Sequence, residues 1–420
     1  MTRWVGLVTA LVLAAAMACM GPGGAGQDGD LVWAIDATAA RSGGPAADVV
    51  SMWNQLHPNG PSVRIETLPQ AADDQRQQMV LELNSGGGEF DILSVDVVWI
   101  GEFAGNGWLA DLEDLRPQIE QVSLPGPLQS AIWNGRLWAA PYTTDAGLLY
   151  YRTDLVDHPP STWQELMDVG LRVGKEHGIA PFVGQGMQYE GLVVNYLEYF
   201  WGAGGELFTP DGANVLFQEE PALQAIEFMK AALRNSFYAP GFNTMKEEDA
   251  RNAFQSGRAV FMRNWPDAYE LMSGQDPRNP SAVAGKFAIA PLPTFTGEET
   301  VTGLGGHNLG VSRFSDHAEA AKEFVRFAST TPDVQRSLAQ RYSEAPTMAS
   351  VYRDLGGDPV MALLGRVLPS AKPRPPTPQW AAVSEVIQRE VFAAYNGERD
   401  PRAAVAAIRA VLESTIPKGS

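Results

Sequence analysis

The stretch LVWAIDATAARSGGPAADVVSMWNQLHPNGPSVRIETL, residues 31–68, contains the alternation that decides the fold class. Residues 31–35 form an apolar run typical of a buried strand, and residues 46–56 have the apolar spacing of a helix. Residues 62–67 predict a second strand. A strand, a helix and a second strand in this order are typical of a parallel α/β sheet.

The same alternation continues beyond residue 68. Residues 74–83 predict a helix that ends at a run of glycines, and FDILSV at residues 90–95 predicts a buried strand with Asp96 at its carboxyl end. Ligands of open α/β sheets bind at the carboxyl ends of strands. Later in the chain the patterns predict helices at 222–234, 247–255, 317–327, 380–395 and 401–412 and a strand at 259–262.

Composition narrows the possible functions. A chain of 420 residues is long enough for two to three domain-sized units, and 45% hydrophobic with 19% charged residues indicates a globular protein. The formal net charge of −18 repels phosphate backbones, so nucleic acid is not expected as a partner. A single cysteine excludes an intramolecular disulfide and a Cys-rich zinc site.

The first thirty residues have the pattern of an export signal followed by a tether. Arg3 precedes an apolar run that is too short to span a bilayer and ends in small residues, so residues 1–18 are predicted to be a signal peptide. Cys19 in AMAC resembles the lipid-bearing cysteine of bacterial lipoproteins, and the Gly-rich residues 19–30 predict a flexible tether. The alternative is a secreted protein with an incidental cysteine. Either way, the protein is expected to act outside the cytoplasmic membrane, and in the first case as a lipid-anchored protein on the membrane's outer face.

Several short motifs carry a resemblance to a known family. They run across the chain in order: DVVW at 96–99, GWL at 107–109, APYTTDAGLLYYRTDL at 140–155, PSTWQEL at 160–166, QYEGL at 188–192, GGHNL at 305–309 and RPPTP at 374–378. Together they resemble the extracellular solute-binding proteins (family 1) of bacterial ABC importers. The resemblance is to the trehalose/maltose-binding branch, which includes actinobacterial trehalose-recycling lipoproteins.

The resemblance implies a two-lobed α/β clamshell of the periplasmic-binding-protein type (type II), with lobes joined by multiple crossovers and a ligand cleft between them. The five prolines within residues 369–378 predict a stiff, non-helical connector. The expected limits are residues 31–141 plus about 297–345 for lobe 1, and residues 142–296 plus about 346–420 for lobe 2.

The resemblance also implies a set of ligand-binding residues. Carboxylates, amides and guanidinium groups hydrogen-bond sugar hydroxyls, while aromatic rings cover apolar sugar faces. The candidates are Asp36, Gln75, Asp96, Tyr142, Asp145, Trp265, Gly305, Gly306, His307 and Arg374. At position 307 many sugar-binding members carry Trp, so His307 indicates less stacking and more hydrogen bonding, as a compact, polar site for trehalose would need.

Each main candidate has a structural alternative. Asp96 could cap the element that follows its strand, and Asp145 could pair with Arg152. Trp265, which precedes a proline, could belong to the core, and Arg374 could be a solvated side chain of its proline-rich loop.

Enzyme motifs are missing from the sequence. It contains no G-x-S-x-G, no Walker loop and no H-E-x-x-H, and its five histidines have no metal-ligand spacing. No catalytic residue, metal or cofactor is therefore predicted. The remaining enzymatic alternative is a secreted glycoside hydrolase that would use Asp96 and Asp145 as its carboxylate pair.

The function predicted from these observations is that of a lipid-anchored, monomeric substrate-binding protein of a carbohydrate ABC importer. It would bind an α-linked disaccharide of the trehalose or maltose type between its lobes and deliver that sugar to the permease subunits. The same fold binding an oligosaccharide or a glycerophosphodiester is a further alternative.

Overall fold

The computed structural model describes residues 30–209, 214–298, 300–375 and 377–415. The strands in these ranges are β1 (Leu31–Asp36), β2 (Val63–Leu68), β3 (Ile92–Asp96), β4 (Ile132–Trp133), β5 (Arg136–Leu137), β6 (Ala140–Ala146), β7 (Leu148–Arg152), β8 (Ala180–Val183), β9 (Ala259–Asn264), β10 (Phe287–Ala290), β11 (Leu304–Val311) and β12 (Ala345–Pro346). The predicted signal peptide and Cys19 lie outside the described residues, as does the tether except for Asp30.

Helices connect and cover the strands. The α-helices are α1 (Pro45–Leu56), α2 (Ala72–Asn84), α3 (Ile100–Gly105), α4 (Arg116–Val122), α5 (Pro125–Ser130), α6 (Trp163–His177), α7 (Glu190–Gly202), α8 (Glu219–Arg234), α9 (Glu247–Gln255), α10 (Ala268–Leu271), α11 (Ala318–Thr330), α12 (Pro332–Tyr342), α13 (Ala349–Asp354), α14 (Pro359–Val367), α15 (Trp380–Tyr395) and α16 (Pro401–Thr415). Short 3-10 helices span Phe242–Thr244 and Leu368–Ser370. No helix in the described ranges is both long and apolar enough to cross a membrane.

The local predictions agree with these elements except at element ends and in one connector. Helices α9 and α15 have the predicted limits, and the other predicted elements differ by a few residues at their ends. The proline-rich connector was expected to be free of helix, but it begins inside the 3-10 helix Leu368–Ser370. Pro369 is tolerated there because the first positions of a helical turn need no N–H donor. The described residues 371–375 and 377–378 are not helical.

The larger sheet brings three strand ends to one edge. Its strand order is β12-β6-β11-β3-β1-β2, and β1 runs parallel to both β2 and β3. Strand β11 is antiparallel to both β3 and β6, so β3 and β6 run in the same direction. The carboxyl ends of β1, β3 and β6 therefore lie at the same edge of the sheet.

The smaller sheet has the order β10-β7-β9-β8. Strand β8 is parallel to β9, while β7 is antiparallel to β9 and β10. Helices α6 and α9 pack on β8 and β9 of this sheet, and α7, α8, α15 and α16 pack against one another, whereas α11 covers β6 and β11 of the larger sheet. The two sheets thus carry separate helical layers, which agrees with a two-lobed α/β architecture.

The chain crosses between the sheets at several points. Gly147 alone separates β6 of the larger sheet from β7 of the smaller, and residues 291–303 lead back from β10 to β11. A third crossing runs beside the second, because Lys372 N donates to Thr302 O and Leu304 N donates to Lys372 O, both at 2.8 Å. The predicted residue limits of the lobes stay a prediction; β6 belongs to the larger sheet through Ala146.

A buried ion pair lies where these segments cross. Arg263 Nη2 donates to Glu198 Oε1 at 2.6 Å, and both side chains are only 2% exposed. The same oxygen accepts from Thr302 Oγ1 at 3.3 Å and from Gly303 N at 3.2 Å. Glu198 therefore ties helix α7 to strand β9 and to one crossing segment, with its charge matched by Arg263.

Candidate functional site

A cavity lies between the two sheets, and all ten candidate residues line it. Its empty volume, including the part open to solvent, is about 1170 Å³. The sequence-predicted residues on its wall are Asp36, Gln75, Asp96, Tyr142, Asp145, Trp265, Gly305, Gly306, His307 and Arg374. The structure thus brings together every residue that the resemblance singled out, although their role in binding a ligand stays a prediction.

Strand register explains how residues far apart in sequence meet. Asp36, Asp96 and Asp145 lie at or next to the carboxyl ends of β1, β3 and β6, three strands that point the same way. Strand β11 runs between β3 and β6, which places His307 opposite Asp96 and Gly305 opposite Asp145. At this edge of the sheet the backbone of β11 therefore lies between the carboxylates of Asp96 and Asp145, and all three line the cavity.

The two glycines are required by their surroundings. A Cβ atom on Gly305 would lie 3.0 Å from Cζ3 of the Trp265 indole, so any side chain at position 305 would displace that ring. Gly306 has φ of +115°, a conformation that residues with a Cβ atom rarely adopt. Glycine at these positions lets the backbone of β11 approach the indole and the neighbouring strand closely.

Asp96, Arg374 and Glu190 form a paired cluster on the cavity wall. Arg374 Nη2 donates to Asp96 Oδ1 at 2.9 Å, and Nη1 donates to Glu190 Oε1 at 2.7 Å. Arg374 is 6% exposed, so it is not the solvated side chain that a proline-rich loop would suggest. Asp96 also accepts from Val98 N at 3.0 Å, so it closes the turn after β3 and pairs with Arg374 at once. It does not cap helix α3, whose N-cap position is Trp99.

Glu190 is held by more than the arginine. Trp380 Nε1 donates to its Oε1 at 3.0 Å, and Ser384 Oγ donates to Oε2. Burial raises the pKa of Glu190 above its ordinary value, and the positive charge of Arg374 opposes that rise. The carboxylate of Glu190 therefore anchors the arginine from the side of α7, where it is the first residue of the helix.

Asp145 has no ion pair with any described residue. Arg152, the alternative partner, donates instead to Asp154, with Nη2 and Oδ2 2.6 Å apart. Burial raises the pKa of Asp145 well above the usual range, and the negative charges of Asp267 and Asp96 raise it further. The carboxyl group of Asp145 therefore lies in the cavity wall without a cation to match its charge.

Two acidic residues that were not among the sequence candidates share this environment. Burial and the charge of Glu248 raise the pKa of Asp267 to about 6. Burial and the charges of Asp267 and Asp145 raise the pKa of Glu344 well above its ordinary value. Both line the cavity, and neither forms an ion pair within the described ranges.

Trp265 occupies the wall contributed by the smaller sheet. Its indole lies over the Arg263 guanidinium, with the carbon at the centre of that group 4.0 Å from the ring centroid. Its backbone is fixed as well, because Tyr150 Oη donates to Trp265 O at 2.6 Å and Asn264 Oδ1 accepts from Trp265 N at 2.9 Å. The ring is partly exposed and lines the cavity, so it is not simply a core residue.

Tyr142 and Gln75 lie deeper in the wall. Tyr142 is 3% exposed and packs edge-on against Trp33, and its hydroxyl has no hydrogen-bond partner among the described residues. Gln75 is 4% exposed, and its amide nitrogen donates to Gln70 O at 2.8 Å. Tyr142 therefore offers an unused hydroxyl, whereas one group of Gln75 is already satisfied.

Asp36 is oriented by backbone donors alone. Its Oδ1 accepts from Thr38 N at 2.8 Å and from Ala39 N at 3.0 Å. These bonds fix the turn after β1 and leave Oδ2 without a hydrogen bond to a described residue. Within the part of the chain that is described, no cluster of histidine, cysteine or acidic side chains has the geometry to hold a metal ion.

Comparison with known proteins identifies the family. Residues 24–335 match the model of the bacterial extracellular solute-binding proteins. The chain belongs to this family. A probable ABC transporter-binding protein of Deinococcus radiodurans is 31% identical over 370 residues, which cover 84% of this chain and 86% of the relative.

Solved structures of this family have the same fold. Maltose-bound MalE3 of T. maritima is 34% identical, covers 92% of this chain and 99% of its own, and superposes with a TM-score of 0.85. A solute-binding protein of Thermotoga lettingae, solved with α-D-tagatose, is 23% identical with a TM-score of 0.82 and covers 92% of this chain and 99% of its own, which shows the shared fold. The predicted two-lobed α/β clamshell is confirmed, and the chain is an extracellular solute-binding protein of an ABC transporter.

Five acidic residues of this solute-binding protein were missed by sequence reasoning: Glu190, Glu247, Glu248, Asp267 and Glu344. Glu190 lies inside the quoted motif QYEGL, and Asp267 follows the candidate Trp265 by two positions. A sequence feature that was already selected could therefore have pointed to both residues. Glu247 and Glu248 begin helix α9, where acidic residues are common for a local reason. Glu344 precedes β12 in no recognisable motif, and only the pairing of β12 with β6 brings it to the cavity.

Proposed function

We propose that this protein binds an α-linked disaccharide of the trehalose or maltose type in the cavity and delivers it to the permease of its importer. The observation that carries the proposal is that Asp96, Asp145, Trp265 and Arg374 line one cavity between the two sheets. The similarity to maltose-bound MalE3 over 92% of this chain supports the same ligand class.

The wall has the two kinds of surface that a sugar requires. Carboxylates accept hydrogen bonds from hydroxyl groups, and such charge-assisted bonds are about twice as strong as neutral ones. The partly exposed face of Trp265 can cover the C–H face of one pyranose ring. Asp145 and Asp36 both have carboxylate oxygens that no described donor occupies.

Position 307 bears on which disaccharide is bound. Trp265 is the only tryptophan among the described residues of the cavity wall. His307 also lines the cavity, where it is the strand-pair neighbour of Asp96. One indole can stack on one ring, so the second sugar unit would be held mainly by hydrogen bonds. A compact disaccharide such as trehalose suits this arrangement better than a long oligosaccharide.

The protein would bind its ligand without transforming it. The two lobes approach when a ligand binds the closed form more tightly than the open form, and only this difference in affinity can shift the equilibrium. The ligand-bound closed form would then dock on the permease. Cys19 would carry a lipid that holds the protein at the outer face of the cytoplasmic membrane, and Cys19→Ser should then appear in the released rather than the membrane fraction.

The alternatives predict different ligands or products. An anionic glycerophosphodiester would meet eight carboxylates and a single arginine on the described wall, and that charge balance disfavours it. A glycoside hydrolase would use Asp96 and Asp145 as a pair of carboxyl groups. In this structure Asp96 is bound to Arg374, and the chain's family transports solutes.

A ligand screen tests the proposal. Residues 20–420 would be screened by thermal shift against mono-, di- and oligosaccharides and glycerophosphodiesters, with titration calorimetry and chromatography of the incubated sugar. A saturable rise in melting temperature with one α-disaccharide, and intact sugar afterwards, is the expected result. Hydrolysis products would establish an enzyme instead. A shift with phosphodiesters alone would keep the fold and reject the sugar.

A further inference from the structure

Charge on the cavity wall is far from balanced. Eight acidic residues line it, and Arg374 is the only lysine or arginine among its described residues: Asp36, Asp96, Asp145, Glu190, Glu247, Glu248, Asp267 and Glu344 stand against that one cation. Arg374 is already shared by Asp96 and Glu190. Glu248 has its own partner outside the cavity, because Arg251 Nε donates to it at 2.7 Å.

Four of the remaining carboxyl groups line the cavity together, and we call them the acid-rich end: Asp36, Asp145, Asp267 and Glu344. Glu344 directly precedes Ala345, whose backbone pairs with Thr144 beside Asp145, and the pKa values of Asp145, Asp267 and Glu344 are each raised partly by the charges of other members of the group. None of the four forms an ion pair with a described residue. They come from four different segments, so the concentration of charge is a product of the fold.

The arginines whose charges act on the acid-rich end are bound to other acidic residues. Arg263 is bound to Glu198 at 2.6 Å, and Arg41 is bound to Glu270 at 3.3 Å. Arg263 lowers the pKa of Asp145, Arg41 lowers that of Glu344, and Arg251, which is bound to Glu248, lowers that of Asp267, but none of the three forms an ion pair or a hydrogen bond with a member of the group. The described residues therefore supply no ion-pair partner to the acid-rich end.

Tyr142 provides an independent sign that a ligand completes this end. The residue lines the cavity, and its buried hydroxyl has no hydrogen-bond partner among the described residues. Burial raises the pKa of that hydroxyl, and the charges of Glu344 and Asp36 raise it further. Buried hydroxyls are nearly always hydrogen-bonded, and a bound ligand would supply the missing partner.

The chemistry of the cation follows from the spacing. Ca²⁺ and Mg²⁺ need several oxygens that converge within about 2.0–2.6 Å of the ion. No acidic cluster in the described ranges meets that requirement. A protonated amino group donates three hydrogen bonds to separate acceptors, so its acceptor oxygens can lie farther apart than the oxygen ligands of a metal ion.

We propose that the acid-rich end binds a protonated amino group, so that the preferred ligand is an amine-bearing α-linked disaccharide. This rests on the proposed function, since the same cavity must bind the sugar. The ammonium would lie among Asp145, Asp267 and Glu344, while the indole of Trp265 covers a sugar ring. Asp36 and the Tyr142 hydroxyl would bind adjacent hydroxyl groups.

Calorimetry with matched sugars tests the inference. Trehalose and maltose would be compared at pH 7 with derivatives in which an amine replaces the hydroxyl at position 2, 4 or 6, and with the N-acetyl form of each. The expected result is that one amine binds about ten- to hundredfold tighter than both its N-acetyl form and its parent sugar. If a parent sugar binds and every amine binds equally or more weakly, the amine site is wrong and the disaccharide proposal stands. If no sugar binds, both proposals are wrong.

Two variants link the preference to the acid-rich end. Asp267→Asn keeps the shape of the site and removes one charge, so the preference for the amine should fall to about twofold or less. Asp276→Asn, which removes a carboxylate paired with Arg278 outside the cavity, should keep the full preference. Circular dichroism and the urea unfolding midpoint would confirm that each variant is folded. An unchanged preference in folded Asp267→Asn would overturn the proposal.

Discussion

In the cavity wall the Asp96 carboxylate lies 2.9 Å from Arg374, whereas Asp145, across strand β11 from it, has no ion-pair partner among the described residues. The group Asp96–Arg374–Glu190 is called the paired end here. Both ends are built from carboxyl groups at the ends of strands or helices, and both line the same cavity. They differ in whether the fold brings a cation to them.

This difference gives the two groups different roles. The paired end is held in place by its own hydrogen bonds, whereas the acid-rich end has carboxyl oxygens that a ligand can still bind. At the paired end the hydrogen bonds of Arg374 are formed before any ligand arrives, so they fix the wall and hold Asp96 in place. At the acid-rich end the carboxyl groups repel one another, and protons or a bound cation must relieve that repulsion. The first end should therefore govern stability, and the second should govern affinity and the response to pH.

The largest effect is expected from Arg374→Leu. It leaves Asp96 and the 4%-exposed Glu190 without their cation, and breaking such a buried pair costs about 3–5 kcal/mol of unfolding free energy. Urea unfolding of the protein without ligand measures this loss of unfolding free energy. The matched control is Arg278→Leu, whose pair with Asp276 has an arginine side chain that is 74% exposed, so little or no loss of stability is expected. Equal losses in the two variants would refute the distinction.

Asp145→Ala should weaken disaccharide binding by about 1–3 kcal/mol, because a sugar hydroxyl loses its acceptor in a buried site. The unliganded protein should not become less stable, since the substitution removes an unpaired carboxyl group. Calorimetry and a melting curve on the same preparation test both statements. Unchanged affinity would remove Asp145 from the binding site.

Trp265→Ala should reduce affinity by about 0.5–1.5 kcal/mol beyond the loss of buried area, because the sugar loses its stacking surface. The variant should still fold, since the ring is partly exposed. The affinity is measured by calorimetry and the stability by urea unfolding. A large loss of stability without ligand would assign Trp265 to the core instead.

The last effect concerns pH. The folded-state pKa of Asp267 is about 6, above the ordinary value of 3.8, so the folded protein binds more protons than the unfolded chain between these values. The contribution of Asp267 to stability therefore falls as pH rises from about 4 to 6. The difference in unfolding free energy between Asp267→Asn and the wild type should grow over that window. A difference independent of pH would show that Asp267 is not in the acid-rich environment.

The sequence by itself determined the elements and the family. Apolar periodicity predicted α9 and α15 with their observed limits, because a helix on a protein core must repeat its apolar residues every three to four positions. The short motifs from residue 96 to residue 378 carried the resemblance that named ten cavity residues. These signals are local, so they can be read without knowing where the segments meet.

Only the tertiary structure decided which charges are matched. Arg374 is 278 residues from Asp96 and 184 residues from Glu190, and no local pattern states that these three meet. Glu344 reaches the cavity solely because β12 pairs with β6. A carboxylate has the same composition wherever it lies, but its protonation and its use depend on the dielectric and the neighbours that the fold provides. For that reason the sequence could name Asp96 and Asp145 together, while the structure alone distinguished the paired one from the unpaired one.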